Sequence, residues 1–279
     1  MRGRVLIIAG SDSGGGAGIQ ADIKTVTALG GYAATAITAL TAQNTLGVVG
    51  IREVEPDFVA LQIQVVLDDI GADAIKIGML ANVGIVEAVA AIIQDRAIGI
   101  PVVLDPVMIS KSGHALLAPD AALALRRLLL VSADVLTPNI PEAEVLTGMT
   151  IRDLADMRHA AHLLLSLGPK VVLVKGGHMP GETLTDLLVY DDGEETFETP
   201  RHHTPHTHGT GCTLATAIAT GLAQGFSVRG AVIRARGYLE RALLTAPGLG
   251  RGHGPLNHGH TMGKFPPFGS EPAQGDWEV

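Results

Sequence analysis

The sequence predicts an α/β fold in which helices cover both faces of a mainly parallel sheet. Short apolar runs alternate with helix-length segments along the chain, and this βαβα order is typical of parallel sheets. Hydrophobic residues form 47% of the 279 residues and aromatic residues only 3%. We therefore expect an aliphatic core, and the length suits one large α/β domain.

The individual elements follow from local patterns. Short apolar runs that end in glycine, proline or polar residues indicate strands at 5–9, 33–40, 74–77, 102–104, 135–136 and 171–174. Segments with helical periodicity indicate helices at 19–29, 57–67, 83–94, 121–129, 211–224 and 228–244. Two further runs, joined by an Asp-Gly turn, predict a β-hairpin over 183–190 and 195–199. Because open α/β sheets bind ligands beyond the carboxyl ends of their strands, we expect the site in those loops.

The domain organisation is predicted to be simple. From Gly248 onward the chain becomes rich in glycine, proline and histidine and loses its periodicity. We expect a single domain over residues 1–262 and a flexible tail over residues 263–279. The tail is not expected to take part in the chemistry.

Composition excludes several classes of partner. The net charge of −8 provides no basic patch for nucleic acid. No stretch approaches the roughly 20 uninterrupted apolar residues of a membrane span, although the mean hydropathy is +0.32. The first apolar run, residues 5–9, is too short for a signal peptide. The single cysteine cannot form an internal disulfide, which fits a reducing compartment, so we expect a cytoplasmic enzyme.

The most informative motif is the run His208-Gly-Thr-Gly-Cys212, which precedes a predicted helix. Backbone N–H groups at a helix N-terminus lack intrahelical acceptors and bind anions well. The thiol of Cys212 lies where that N-terminus is expected to lower its pKa from about 8.5 towards neutrality. The motif predicts phosphate chemistry beside a titratable group.

A glycine-rich loop, Gly10–Asp22, follows the first predicted strand. Its run Gly16-Ala-Gly-Ile-Gln-Ala21 matches the relaxed dinucleotide-binding pattern. That pattern requires an acidic residue about 20 positions later, and none occurs between Lys24 and Glu53. No P-loop motif is present either. A plain flexible turn is one alternative, but the loop better suits the enclosure of a flat substrate.

Seven motifs in order identify a family resemblance. They are Gly10–Asp22, Thr41–Thr45, Lys76–Met79, Asp105–Met108, Thr137–Ala143, Val174–His178 and His208–Cys212. Over residues 4–258 the chain resembles the hydroxymethylpyrimidine/phosphomethylpyrimidine kinases of thiamine biosynthesis, in the ribokinase-like superfamily. The resemblance implies a three-layer α/β/α sandwich. It also implies ATP- and Mg²⁺-dependent phosphorylation of 4-amino-5-hydroxymethyl-2-methylpyrimidine to the monophosphate and then the diphosphate, by a homodimer.

The resemblance also implies residues for the pyrimidine end of the site. The amide of Gln43, expected on a loop past the second strand, has the donor and acceptor that suit a pyrimidine edge. Asp22 is expected to be the second polar contact. The apolar walls and the enclosing loop are assigned to Gly10, Ala17, Met79 and Val107. Without the resemblance, Gln43 is a surface glutamine in a turn.

At the nucleotide end, the resemblance assigns Asp105, Asn139, Glu142 and Lys175. Asn139 and Glu142 are expected near Mg²⁺ and the phosphates, mostly through water, and Lys175 near the phosphates as a point charge. Each has a structural alternative: a turn aspartate, a helix-capping pair and a solvated lysine, respectively. The histidines at 178 and 202–208 lack the ligand framework of a zinc site; His208 is expected to orient the loop.

Cys212 has three interpretations. It could be a buried structural cysteine, or a protease nucleophile, for which no supporting pattern surrounds it. The third is a general base for the substrate hydroxyl, with the amides of Gly209, Thr210 and Gly211 stabilising the phosphoryl group. Ribokinase relatives commonly carry aspartate at the corresponding position, which favours the base.

Two rival functions stay open. Pyridoxal kinases share the fold and the Gly-Thr-Gly loop, but pyridoxal-specialised relatives often carry an added cysteine after the Asp-Pro-Val-Met motif. Here the corresponding run is Ile109-Ser-Lys-Ser112. A non-catalytic pyrimidine sensor would need a degraded Cys212 loop and Lys175, and both are present.

Overall fold

The computed structural model describes residues 1–110 and 113–263; residues 264–279 of the predicted tail lie outside this part. The strands are β1 (Arg4–Asp12), β2 (Tyr32–Asn44), β3 (Gly47–Glu53), β4 (Ala74–Ile77), β5 (Val102–Leu104), β6 (Val135–Leu136), β7 (Val171–Val174), β8 (Thr183–Tyr190) and β9 (Gly193–Pro200). The helices are α1 (Gly18–Ala28), α2 (Pro56–Asp69), α3 (Val83–Arg96), α4 (Pro119–Leu128), α5 (Ile140–Thr147), α6 (Leu154–Ser166), α7 (Thr210–Ala223) and α8 (Val228–Leu244).

The strands form one sheet in the order β3-β2-β1-β4-β5-β6-β7-β8-β9. The six strands from β2 to β7 in this order run parallel, whereas β3, β8 and β9 pair antiparallel at the two edges. The chain moves from β1 to one side and then returns to place β4 on the other. Such a reversal opens a crevice at the carboxyl ends of the strands, where ligands bind in open α/β sheets.

Helices cover both faces of the sheet, as predicted. One apolar core includes side chains of β1, β4 and helices α2 to α6, such as Ile63, Val89 and Leu164. The other lies under α1, α7 and α8 and includes Val26 and Ile218. The three-layer α/β/α arrangement with a mainly parallel sheet is therefore confirmed. Among the described residues, no helix combines the length and apolarity that crossing a membrane requires.

Strand β3 and helix α6 were not predicted. Strand β3 is an edge strand with two glycines and several exposed residues, so it lacks the apolar signal of the buried strands. Because β3 pairs with β2, the second strand extends to Asn44, and Gln43 lies within it rather than on a loop. Helix α6 begins at Leu154 and is capped by Asp153, whose side chain accepts from the Asp156 amide; an aspartate at this position is a helix-start signal that the sequence offers.

The chain that follows α8 folds back against the helical layer. His258 is 4% exposed, and its Nε2 lies 2.9 Å from Thr213 Oγ1 of α7. Tyr238 of α8 donates to the His258 carbonyl at 3.0 Å, and Thr261 donates to the Ala28 carbonyl at 2.8 Å. Burial, with a smaller effect of Lys24, lowers the pKa of His258 to about 4. The imidazole is therefore neutral in the folded protein at neutral pH.

This buried imidazole predicts acid sensitivity. The folded protein binds the His258 proton more weakly than the unfolded chain does, so this contribution to stability is lost as pH falls from about 6.5 to about 4. The loss should reach at most about 3 kcal/mol. Denaturant unfolding across this range should show a shallower pH slope in His258→Gln than in the wild type. The exposed control His114→Gln should keep the wild-type slope; equal slopes in all three proteins would contradict the assignment.

Candidate active site

A cleft of about 600 Å³ opens at the carboxyl ends of the parallel strands. The predicted pyrimidine-end residues that border it are Gly10, Ala17, Gln43, Met79 and Val107. The predicted nucleotide-end residues that border it are Asp105, Asn139, Glu142 and Lys175. The turn residues Gly209, Thr210, Gly211 and Cys212 border it as well. A Cβ on Gly209 would lie 3.4 Å from Ala17 Cα, and one on Gly211 would lie 3.4 Å from Lys175 Nζ, so the turn adjoins both groups. The structure thus brings together every predicted site residue except Asp22.

The Gly-Thr-Gly turn forms the start of α7. Gly209 has φ +85°, a left-handed conformation, and a Cβ there would overlap the carbonyl oxygen of Gly16. None of the described side chains caps this helix. The amides of Gly211 and Cys212 have no acceptor among the described residues, as expected for free groups at a helix N-terminus. The turn can therefore donate two hydrogen bonds to an anion.

The expected lowering of the Cys212 pKa is wrong. Burial, together with the charges of Asp22 and Asp105, raises the pKa of the thiol to about 11. Lys76 and the Gly18 amide act in the opposite direction but do not outweigh burial. At neutral pH the sulfur is therefore almost entirely a thiol. The loss of hydration destabilises the thiolate of Cys212 more than the N-terminus of α7 stabilises it.

Lys175 lies between two buried carboxylates. Its Nζ is 2.8 Å from Asp105 Oδ1 and 3.9 Å from Glu142 Oε2, and the side chain is 14% exposed. Burial opposes the charge, but the two carboxylates raise the pKa of Lys175 overall. The solvated-lysine alternative is wrong. A Cβ on Gly211 would lie 3.4 Å from Lys175 Nζ, so the ammonium lies beside the anion-binding turn.

Asn139 and Glu142 form a capping box at the start of α5, which was the structural alternative. Asn139 Oδ1 accepts from the Glu142 amide at 2.9 Å, and Glu142 Oε2 accepts from the Asn139 amide at 2.8 Å. Burial raises the pKa of Glu142 to about 7. Among the described residues, no group of three histidine, cysteine or acidic side chains is arranged to hold a metal ion. Any ion here would therefore depend on phosphate and water as further ligands.

At the other end of the cleft, Gln43 is held by its neighbours. Its Oε1 accepts from Thr41 Oγ1 at 3.1 Å, and its Nε2 lies 3.3 Å from His208 Nε2. His208 Nε2 is also 2.8 Å from Asp12 Oδ2. Asp12 in turn accepts from the amides of Gly14, Gly16 and Ala17. His208 thus contacts the glycine-rich loop directly. Through Asp12 and Gln43, it holds this loop and the glutamine in place relative to each other.

Asp22 does not border the cleft, and its predicted contact with the pyrimidine is wrong. It is 0% exposed, and its Oδ2 lies 2.8 Å from the equally buried Nζ of Lys76. Its Oδ1 accepts from Thr216 at 2.6 Å. Sequence reasoning gave no role to Lys76, although a signal existed. A lysine in the middle of a buried strand requires an acidic partner.

The sequence also did not reveal that a segment after α8 supports the site. The amide of His253 donates to the Thr45 carbonyl at 2.8 Å, and the amide of His208 donates to the Gly254 carbonyl at 3.1 Å. A Cβ on Gly252 would overlap the Thr45 carbonyl. This glycine-rich segment therefore holds the turn between β2 and β3 against the site. The segment is rich in glycine and histidine and has no periodicity, so the sequence did not indicate that role.

Comparison with known proteins identifies the family. The sequence profile described as phosphomethylpyrimidine kinase matches residues 12–257. The chain belongs to the phosphomethylpyrimidine kinase family. It is similar to the hydroxymethylpyrimidine/phosphomethylpyrimidine kinase of Streptomyces coelicolor, with 47% identity over 93% of this chain and 96% of that protein.

Two further relatives extend the comparison. The chain is 51% identical to the thiamine biosynthesis bifunctional protein ThiED of Geobacter sulfurreducens over 92% of its own length, and it spans about half of that longer protein (52%). An ADP complex of Bacillus subtilis pyridoxal kinase has a TM-score of 0.85 and 36% identity, over 93% of this chain and 98% of that one. The phosphomethylpyrimidine kinase family and these relatives make the protein a kinase with a ribokinase-like fold.

The left-handed turn before α7 predicts a specific cost of substitution. Gly209→Ala should lower the free energy of unfolding by more than about 2 kcal/mol, because alanine would be strained at φ +85° and would overlap the Gly16 carbonyl. Gly177→Ala is the matched control, because nothing lies within 4 Å of a Cβ built there. Denaturant unfolding checks both variants. Equal stabilities for the two would show that the turn does not need glycine.

Proposed function

We propose that this kinase transfers the γ-phosphoryl group of ATP to the hydroxymethyl group of 4-amino-5-hydroxymethyl-2-methylpyrimidine, and then to the resulting monophosphate. The observation that carries the proposal is the convergence in one cleft of an uncapped helix N-terminus with Cys212, the ammonium of Lys175 and the amide of Gln43. Relatives with 45–51% identity bear the name of this activity or of thiamine biosynthesis. The ADP complex of the related pyridoxal kinase supports ATP as the donor.

The turn and Lys175 supply the electrostatics of the transfer. The free amides of Gly211 and Cys212 at the start of α7 stabilise the negative charge of the phosphoryl group, and Gly209 and Thr210 form the turn that presents them. Lys175 balances the charge of the nucleotide's phosphates. As the acceptor oxygen bonds to the γ-phosphorus, the bond to the bridging oxygen breaks and ADP leaves. Most of the acceleration in such transfers comes from positioning and electrostatic stabilisation.

Carboxylate oxygens suit Mg²⁺, and the cleft has two buried carboxylates, Asp105 and Glu142, on either side of Lys175. We assign to them, with Asn139, the place of the ion, held mainly through water because the oxygens of Asn139 and Glu142 also cap α5. Bound Mg²⁺ would neutralise charge on the β- and γ-phosphates.

Cys212 is the group that we assign to the proton of the hydroxymethyl acceptor. With a pKa of about 11, only the small thiolate fraction can act as the base at neutral pH. The hydroxyl proton passes to the sulfur and then to solvent. The second acceptor differs, because a phosphate monoester is largely ionised above about pH 6 and needs no base. The two transfers therefore differ in their need for Cys212.

The pyridoxal kinase alternative has the structural likeness at 36% identity in its favour. Against it stand the higher identities of the hydroxymethylpyrimidine kinases and the lack of a second cysteine in the sequence. A homodimer in the cytoplasm stays a prediction of the family resemblance.

The substrate assignment predicts a clear order of preference. Phosphate transfer from ATP should be measured side by side for the hydroxymethylpyrimidine, its monophosphate and pyridoxal. Both pyrimidines should exceed pyridoxal in kcat/KM by about tenfold or more. A tenfold preference for pyridoxal would overturn the assignment.

Replacement of Cys212 should separate the two transfers. In Cys212→Ala, kcat for the hydroxymethyl acceptor should fall by about 10²- to 10⁴-fold, whereas kcat for the monophosphate should fall by less than about tenfold. Binding of the pyrimidine should stay nearly unchanged. Cys212→Ser keeps the shape of the side chain but has no comparable base, so it should behave like the alanine variant. Recovery of the first transfer in the serine variant would refute the base assignment.

A further inference from the structure

Lys76 and Asp22 form an ion pair that the transfer described above does not use. Both side chains are 0% exposed, and Nζ lies 2.8 Å from Oδ2. The desolvation of two buried charges can outweigh their mutual attraction, so stability alone does not explain such a pair. Lys76 lies in β4, at the crevice created by the reversal of strand order, and borders the same cleft as Cys212. The pair therefore calls for a functional explanation.

The pair lies one helical turn below the thiol. Gly18 at the start of α1 and Cys212 at the start of α7 both line the cleft, and the Gly18 amide favours the thiolate. Four residues further along the same two helices, Thr216 donates to Asp22 at 2.6 Å. Residues four apart lie on one face of a helix, about 6 Å along its axis. The hydrogen bond between Thr216 and Asp22 thus places the ion pair about one helical turn from Cys212 along α7.

The space for the Lys76 ammonium depends on a glycine just after the end of β4. A Cβ on Gly78 would lie 2.8 Å from Lys76 Nζ. Burial opposes the charge of Lys76, but Asp22, Cys212 and Asp105 together raise its pKa above the ordinary value. The ammonium is therefore charged throughout the working pH range. It faces two groups that can carry negative charge on adjacent turns, the carboxylate and the sulfur.

We propose that Lys76 and Asp22 are positioning residues for the first phosphoryl transfer: Lys76 stabilises the Cys212 thiolate, and Asp22 competes with that thiolate for the same ammonium. The assignment to a transfer step rests on the proposed function. Five groups act on the sulfur. They are Lys76 from β4, Asp22 and the Gly18 amide from α1, Asp105 from the end of β5, and Lys175 from the end of β7. With Asp22 ionised, one cation compensates one anion, and Cys212 keeps its proton. The thiolate forms as the minor species that accepts the hydroxyl proton.

The single cysteine allows a direct test. Alkylation of the full-length protein by iodoacetamide is read by mass spectrometry on the peptide that contains Cys212, and its rate against pH follows the thiolate fraction. In Lys76→Met the midpoint should move to higher pH, and in Asp22→Asn it should move to lower pH, each by about one to two units. Shifts in the same direction, or no shift, would overturn the proposal, because a purely structural role moves both variants alike.

Two further variants keep the test decisive if Lys76→Met folds poorly. The double variant Lys76→Met/Asp22→Asn removes both charges at nearly constant volume, and its midpoint should return towards the wild-type value. Thr216→Val removes one hydrogen bond to Asp22 but no charge, so it should shift the midpoint by less than about half a unit. A double variant that stays as far from the wild type as Asp22→Asn would contradict the competition between the two anions.

Kinetics connect the pair to the reaction. In Asp22→Asn, the pH profile of kcat for the hydroxymethyl acceptor should move to lower pH together with the alkylation midpoint, with little change in KM. The profile for the monophosphate acceptor should not move. If the proposed function is wrong, the wild type will transfer no phosphate to either pyrimidine, while the alkylation shifts will still appear. If only this inference is wrong, transfer will occur without the shifts.

Discussion

The site depends on one pairing between distant parts of the chain, the contact of Asp12 with His208. The carboxylate lies at the end of β1 and holds the amides of the glycine-rich loop, while the imidazole precedes α7. This contact brings the N-termini of α1 and α7 together at the crevice between β1 and β4. The close approach of Gly209 to the Gly16 carbonyl follows from it. So does the position of Gln43, whose amide contacts the same imidazole.

Near this pairing, the cleft contains two lysine ammonium groups, which are buried to different degrees. Lys175 lies beside the anion-binding turn, between two carboxylates, where it can meet phosphate oxygens. Lys76 lies below the turn, out of contact with solvent, where it can act only on Cys212 and the acidic groups near it. The first position suits the donor, whose charge is permanent. The second suits an acceptor whose proton must leave during the reaction.

Much of the fold could be predicted because the buried parallel strands carry a strong apolar signal. The edge strand β3 could not, since two of its seven residues are glycines and three are exposed. Without β3, Gln43 was expected on a loop, whereas it lies within β2. The ordered motifs located the site residues, but a motif does not show how deeply each side chain is buried. Asp22 was therefore taken for a substrate contact, although it compensates a lysine in the sheet. For the same reason the pKa of Cys212 was predicted in the wrong direction, because burial is a property of the packed structure.

The central claim is that the hydroxymethyl group of the acceptor lies against the Cys212 sulfur beside the phosphate-binding turn. Protection of this single cysteine from iodoacetamide at about pH 9, where the thiolate is sampled, tests it most directly. Saturating hydroxymethylpyrimidine alone should slow alkylation by about tenfold or more, and an ATP analogue should add to the protection. Unchanged alkylation at a concentration of the pyrimidine that saturates binding would contradict the account.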